Sequence, residues 1–273
     1  MHASHSNALP PFRKLELFHS PQELLMAIHD AIADHQTRYG SCGRVHGLVS
    51  PDTILIESQS PTSNRQVKYL KDPLPHDRGI LAFQSITSLQ KTICGPSDLP
   101  LDYLDDLESF FYVIAWFALG YSYPGKRRNN NDIPAVLASW ALTSDPQQCM
   151  HAKKEMLYGK NGDFGFNNVS QYLGGYALEE LLQNLLGLLR TRCHERLSSK
   201  PAMTWQQMLK ASQATYEGFL ACIKRTIRVL DEKESNRLTH KMIASHEPLY
   251  PQDLKAMQQR NMATAYQRGG QNW

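Results

Sequence analysis

His46, position 48 and position 53 stand at the spacing of a phosphoryl-transfer loop, but two of those positions hold residues that cannot do the chemistry. Such a loop reads H-R-D-x-x-x-x-N. Its Asp accepts the proton of the attacking hydroxyl, and its Asn holds a magnesium ion. In Val45-His46-Gly47-Leu48-Val49-Ser50-Pro51-Asp52-Thr53-Ile54-Leu55-Ile56 the Asp place holds Leu48, which has no proton acceptor. The Asn place holds Thr53, whose hydroxyl has a shorter reach than an amide carbonyl. Loss of general-base help alone forfeits about 10²–10⁴-fold in rate. Gly47 takes the Arg place, so the guanidinium that would meet a phosphate is missing. Downstream, the strand Val67-Lys68-Tyr69-Leu70-Lys71 ends on Lys71 where a metal-binding Asp would stand. A register shift of one residue would put Asp72-Pro73-Leu74 in the metal-binding turn, which makes Asp72 a weak metal candidate. A frame kept without its carboxylates predicts the fold without the reaction.

The elements that would hold this loop are legible around it. Ser20 as N-cap, Pro21 at the first helical position and Glu23 as capping-box partner predict a helix start. Leu24, Ile28, Ala31, Ile32 and His35 then fall on one face, and Tyr39-Gly40 is the expected end. Thr53–Glu57 and Gln66–Leu70 read as two strands of a hairpin around the Ser/Pro/Asn-rich stretch 58–64. Residues 71–104 read as mostly loop, with one helical piece near Phe83–Lys91. Helices follow over Asp105–Gly120, Ile133–Leu142, Pro146–Tyr158 and Tyr176–Leu197. The Asp105–Gly120 helix is apolar nearly all round and should lie deep in the core. Thr204, with Gln207 as box partner, caps a last long helix running to about Leu230. A weak helix is expected near Gln252–Gln267.

Composition sets the outer bounds. The chain has 273 residues, of which 41% are hydrophobic, enough for a full core. Twenty-nine Lys plus Arg against 26 Asp plus Glu give a net +3, too mild to imply a nucleic-acid or membrane partner. The cluster Lys126-Arg127-Arg128 reads as a solvated loop, with a phosphate or phosphopeptide contact as the alternative. The five cysteines are widely spaced and form no C-x-x-C pair, which fits a reducing compartment better than a disulfide framework or zinc site. The polar N-terminus lacks the apolar core of a secretory signal. His5, His29, His194 and His240 have no partners at metal spacing. Trp116 and Trp140 lie in apolar helices and read as core.

Four stretches together resemble the fungal-type protein kinases. Phe18–Tyr39, with Glu23-Leu24-Leu25, Ile28, Asp30-Ala31-Ile32 and His35, resembles the helix leading into the family's catalytic loop. Val45–Ile56 resembles the loop. Gly79-Ile80-Leu81-Ala82-Phe83-Gln84-Ser85-Ile86 resembles the end of its activation segment, written G-T-x-x-F-M-S. Asp105-Asp106-Leu107-Glu108-Ser109-Phe110-Phe111-Tyr112-Val113 resembles its central helix. Trp140–Leu157 adds the pattern of a tryptophan followed by a Lys-containing helix. Under this resemblance His46 is architectural. Asp106 is a structural anchor accepting hydrogen bonds from the loop backbone, at a helix start that favours negative charge. The Gly-rich phosphate loop and β3 Lys of a kinase N-lobe are missing. The D-F-G letters at Asp163-Phe164-Gly165 lie too far downstream to serve as the metal motif.

The expectation is a mainly α protein with a kinase-like C-terminal lobe over 12–230, a small β-hairpin and no N-lobe. A disordered stretch 1–11 precedes it, and a polar, partly helical tail 231–273 follows. The resemblance implies a pseudokinase acting as an interaction or scaffolding module inside the cell, cytoplasmic or nuclear. It would bind a protein partner or a second copy at the exposed surface that normally meets the N-lobe, and need no cofactor. The alternatives are an active or partner-complemented Ser/Thr kinase using ATP and magnesium, or a decayed kinase fragment.

Overall fold

A computed structural model describes residues 12–57, 68–70, 80–95, 100–159, 166–198 and 204–244. The expectations placed on residues 1–11, Lys71, Asp72, the letters at 163–165 and the helix near 252–267 fall outside these. Contacts divide the chain into two units, Met1–Leu230 and Asp231–Trp273.

The first helix, α1 (Pro21–Cys42), starts as its sequence dictates, because the Ser20 hydroxyl accepts from the Glu23 N–H at 3.1 Å. Only half of the expected capping box forms. The Glu23 carboxylate reaches past Ser20 to the His19 N–H at 2.7 Å and also pairs with Arg13. The helix runs through Gly40, around which a β-carbon would meet nothing, and ends at Gly43. Gly43 is left-handed at φ 68°, and a β-carbon there would stand 2.9 Å from the Trp205 indole. Conformation and crowding together single out the second glycine as the stop.

The expected hairpin is one strand short of the sheet that forms. Strand β1 (Phe12–Lys14) pairs antiparallel with β2 (Ile54–Glu57), which pairs antiparallel with β3 (Lys68–Leu70). The register sets Arg13 opposite Ile56 and Ile54 opposite Leu70. Three residues are too few for a period-2 pattern, so β1 left no mark in the sequence. Ile54 and Ile56 point into the core, as alternation requires. After β3, α2 (Ile86–Cys94) begins later than expected. Phe83 lies in a short 3₁₀ turn, and Ser85 caps the helix by accepting from the Ser88 N–H.

Helix α3 (Tyr103–Gly120) is buried at every residue. Asp102 caps it, accepting from the Leu104 N–H at 2.8 Å while Asp105 returns the bond to the Asp102 N–H at 2.9 Å. Strands β4 (Tyr121–Tyr123) and β5 (Lys126–Arg127) follow as a two-stranded ribbon, so the expected basic loop is partly strand. Helices α4 (Ala135–Ala141), α5 (Pro146–Tyr158), α6 (Tyr176–Ser198) and α7 (Trp205–Ala244) complete the order. The α6 leucines Leu178, Leu181, Leu182, Leu185 and Leu189 form one buried stripe, and α3 packs on α6, α1 and α4. Trp116 and Trp140 are core, as expected. Thr204 and Gln207 exchange both capping bonds, but α7 continues well past Leu230. No helix among the described residues is long and apolar enough to cross a membrane.

Candidate functional site

The loop after α1 hangs on one carboxylate. Asp106, buried near the start of α3, accepts from the His46 N–H at 2.6 Å through Oδ2 and from the Gly47 N–H at 2.7 Å through Oδ1. Oδ2 also meets His35 Nε2 at 2.7 Å, and the other ring nitrogen of His35 meets the Tyr216 hydroxyl at 2.6 Å. Burial and the neighbouring Asp106 push the Tyr216 phenol far above its usual range, so it stays protonated. His35 thus bridges the Tyr216 hydroxyl and the Asp106 carboxylate through its two ring nitrogens. Residues from α1, the loop, α3 and α7 thus form one hydrogen-bonded chain. Gly47 sits at φ 76°, a backbone setting glycine adopts without strain. The His46 ring folds back onto the loop, where Nδ1 accepts from the Leu48 N–H at 3.2 Å.

Leu48 brings an aliphatic side chain to the place the resemblance gives the base, and that side chain cannot take a proton. The Thr53 hydroxyl is already committed. It donates to the Ser50 carbonyl at 2.9 Å and accepts from the Ser50 N–H at 3.0 Å, closing the turn before β2. Magnesium takes oxygen ligands, usually carboxylates. Neither Leu48 nor the occupied Thr53 fits it, and no group of three or more His, Cys, Asp or Glu side chains converges for a metal among the described residues.

A second set of buried charges was not assigned a role from the sequence. Lys153 on α5 is fully buried. It donates to three carbonyls, Leu81 at 3.1 Å, Ala82 at 2.9 Å and Gln84 at 2.6 Å, with its ammonium 3.8 Å from the centre of the Tyr112 ring. Glu108, one turn on from Asp105 on α3, accepts through Oε1 from the Ile86 N–H at 2.8 Å and the Tyr112 hydroxyl at 2.6 Å. Burial pushes the Glu108 carboxyl up to about 7, against the pull of the Tyr112 hydrogen bond. Burial also brings the Lys153 ammonium down to about 8. The segment Leu81–Ile86 is thus held from one side by a cation on its carbonyls and from the other by a carboxylate on its N–H. The only sequence signal was the lysine in the Trp140–Leu157 pattern and the glutamate in Asp105–Val113.

Between loop and segment lies a cleft of about 180 Å³, lined among others by Glu16, Pro51, Asp52, Ala82, Phe83 and Trp116. Pro51 and Asp52 come from the loop after α1, and Ala82 and Phe83 from the stretch held by Lys153. Ile80 on its rim is 51% exposed.

Residues 9–118, which include the Asp106-held loop, the Leu81–Ile86 segment and all but the last two residues of α3, match the family described as fungal protein kinase. Helices α4 to α7, with the Trp140–Leu157 pattern, lie beyond the match. Neither a curated protein nor a solved structure matches the chain.

Proposed function

Residues 9–118 belong to the fungal protein kinase family, and from that premise we propose that this chain is a kinase-like interaction module that transfers no phosphoryl group. One observation carries the reading: the chemistry-bearing places of the loop hold Leu48 and a Thr53 locked onto Ser50, while Asp106 fixes the same loop's backbone. A hydroxyl brought to this loop would be positioned without a base. The module is built as a kinase-like C-terminal lobe, and its partner covers the surface around the cleft, where Ile80 stands exposed on the rim. Apolar side chains at such a rim are the usual anchors of a protein contact.

The test pairs a thermal melt with a transfer assay. The full chain is heated with and without millimolar ATP, each with magnesium and with EDTA, and then incubated with labelled ATP and a generic Ser/Thr substrate. The expected outcome is no magnesium-dependent shift and no label transferred. A magnesium-dependent shift together with transfer that Asp72→Asn abolishes would overturn the reading in favour of a working kinase. Broad, non-cooperative melting in every condition would favour a decayed fragment.

A further inference from the structure

The ribbon β4–β5 and the turn that precedes α6 present a built surface beside the cleft, which it meets at Trp116. Tyr123 and Tyr172 stack with ring centroids 4.1 Å apart and planes at 30°, yet are 40% and 62% exposed. Two bonds clamp the elements that carry them. The Ser170 hydroxyl donates to the Ser122 carbonyl at 2.6 Å, and Arg128 donates to the Asn168 carbonyl at 2.8 Å. A tyrosine pair held this way is a large amphipathic face with few rotamers left to lose.

Cations border it. Lys126 stands 5.7 Å from the centre of the Tyr123 ring, and the Arg127 guanidinium lies 4.7 Å from that of Trp116. Among the described residues no carboxylate pairs with Lys126, Arg127 or Arg128. The nearest acid in sequence, Asp132, is engaged by the Asn129 amide of its own turn. A guanidinium has five N–H donors. Arg127 uses one on Asn130, and Arg128 uses two on Tyr121 and Asn168. Most of their donors remain, on one side chain placed over the Trp116 ring and another tied to two backbone carbonyls. A merely solvated basic loop would leave these side chains loose.

We propose that Lys126, Arg127 and Arg128, beside the stacked Tyr123 and Tyr172, form a docking surface for an acidic peptide segment of a partner protein. Fixed arginines suit the bidentate geometry of carboxylates, and tyrosine and arginine are the residues that most often carry interface energy. A nucleic acid fits less well. Three cations on a short ribbon neutralise few phosphates, and the whole chain carries only +3.

The probe is a fluorescein-labelled Glu/Tyr copolymer peptide, titrated with the full chain and read by anisotropy. A Lys-rich peptide and a single-stranded oligonucleotide are run beside it. Lys126→Glu and Tyr172→Ala are the test variants, because both side chains are exposed and lie outside the core; matching melting curves confirm the fold. The acidic peptide should bind at low salt, weaken as salt rises, and lose about tenfold in affinity in each variant. Failure of the acidic peptide to bind overturns the proposal. So does binding that neither variant changes, or an oligonucleotide that binds more tightly than the peptide. None of these outcomes bears on whether the loop transfers phosphate.

Discussion

Asp106 and Glu108 stand two residues apart on α3, and each holds a neighbouring segment by backbone N–H groups, but they do it in opposite electrostatic settings. Asp106 receives two N–H bonds and the His35 ring. Glu108 receives one N–H and one phenol, and burial pushes its carboxyl up to about 7. The 46–53 loop is therefore fixed by a carboxylate with three partners. The 81–86 segment is fixed by two buried groups, Glu108 and Lys153, that are both near their titration points. The positions that would perform chemistry, Leu48 and Thr53, carry neither kind of load. Thr53 serves only the local turn through its two bonds to Ser50, and Leu48 offers no polar group to hold the backbone.

The sharpest way to break this contrast is Asp106→Ala. It strands two part-buried N–H groups and the buried His35, and should lower unfolding free energy by about 3–5 kcal/mol in urea denaturation. If the loss is under about 1 kcal/mol, Asp106 is no anchor. Lys153→Met should come next, at about 2–4 kcal/mol, because three carbonyls lose their donor. Its amide-exchange signature should be confined first to the Leu81–Ile86 region.

The pH profile separates the two settings further. The Glu108 carboxyl titrates higher folded than unfolded, so its contribution is present in acid and lost as pH rises through about 7. The Lys153 ammonium titrates lower folded than unfolded, so its contribution is present in strong base and lost as pH falls through about 8. Together they make the stretch between about pH 7 and 8 the low point of this pair's contribution. Glu108→Gln should flatten the acid side and Lys153→Met the basic side in urea midpoints measured from pH 5 to pH 10. A wild-type profile unchanged by both would show that the pair is not titrating there. The smallest effect is expected at the chemistry positions. Leu48→Asp combined with Thr53→Val should shift stability by only about 1–2 kcal/mol, mostly from the lost Thr53 turn bonds.

Helices were legible where periodicity and caps agreed. Pro146–Tyr158 and the Thr204–Gln207 cap follow from local chemistry alone. The end of α1 was misplaced because Gly40 and Gly43 are equal as sequence signals; the Trp205 indole that decides between them lies more than 160 residues away. Strand β1 was missed because three residues carry no alternation and its partner, β2, lies more than 40 positions along the chain. In the site, the empty chemistry of Leu48 was readable from residue type. The load on Lys153 was not, because a lysine in an amphipathic helix looks solvent-facing until three carbonyls from another segment converge on it.

The bond between Tyr216 and His35 spans 181 positions. On a ribosome adding about 5–20 residues per second, the first helix and its loop wait roughly 10–35 s for the residue that completes their hydrogen-bonded chain. During that interval His35 is without its phenol and the loop without its final brace. A transcript cut short before Tyr216 would leave the loop on its Asp106 bonds, with His35 lacking the phenol that meets its second nitrogen.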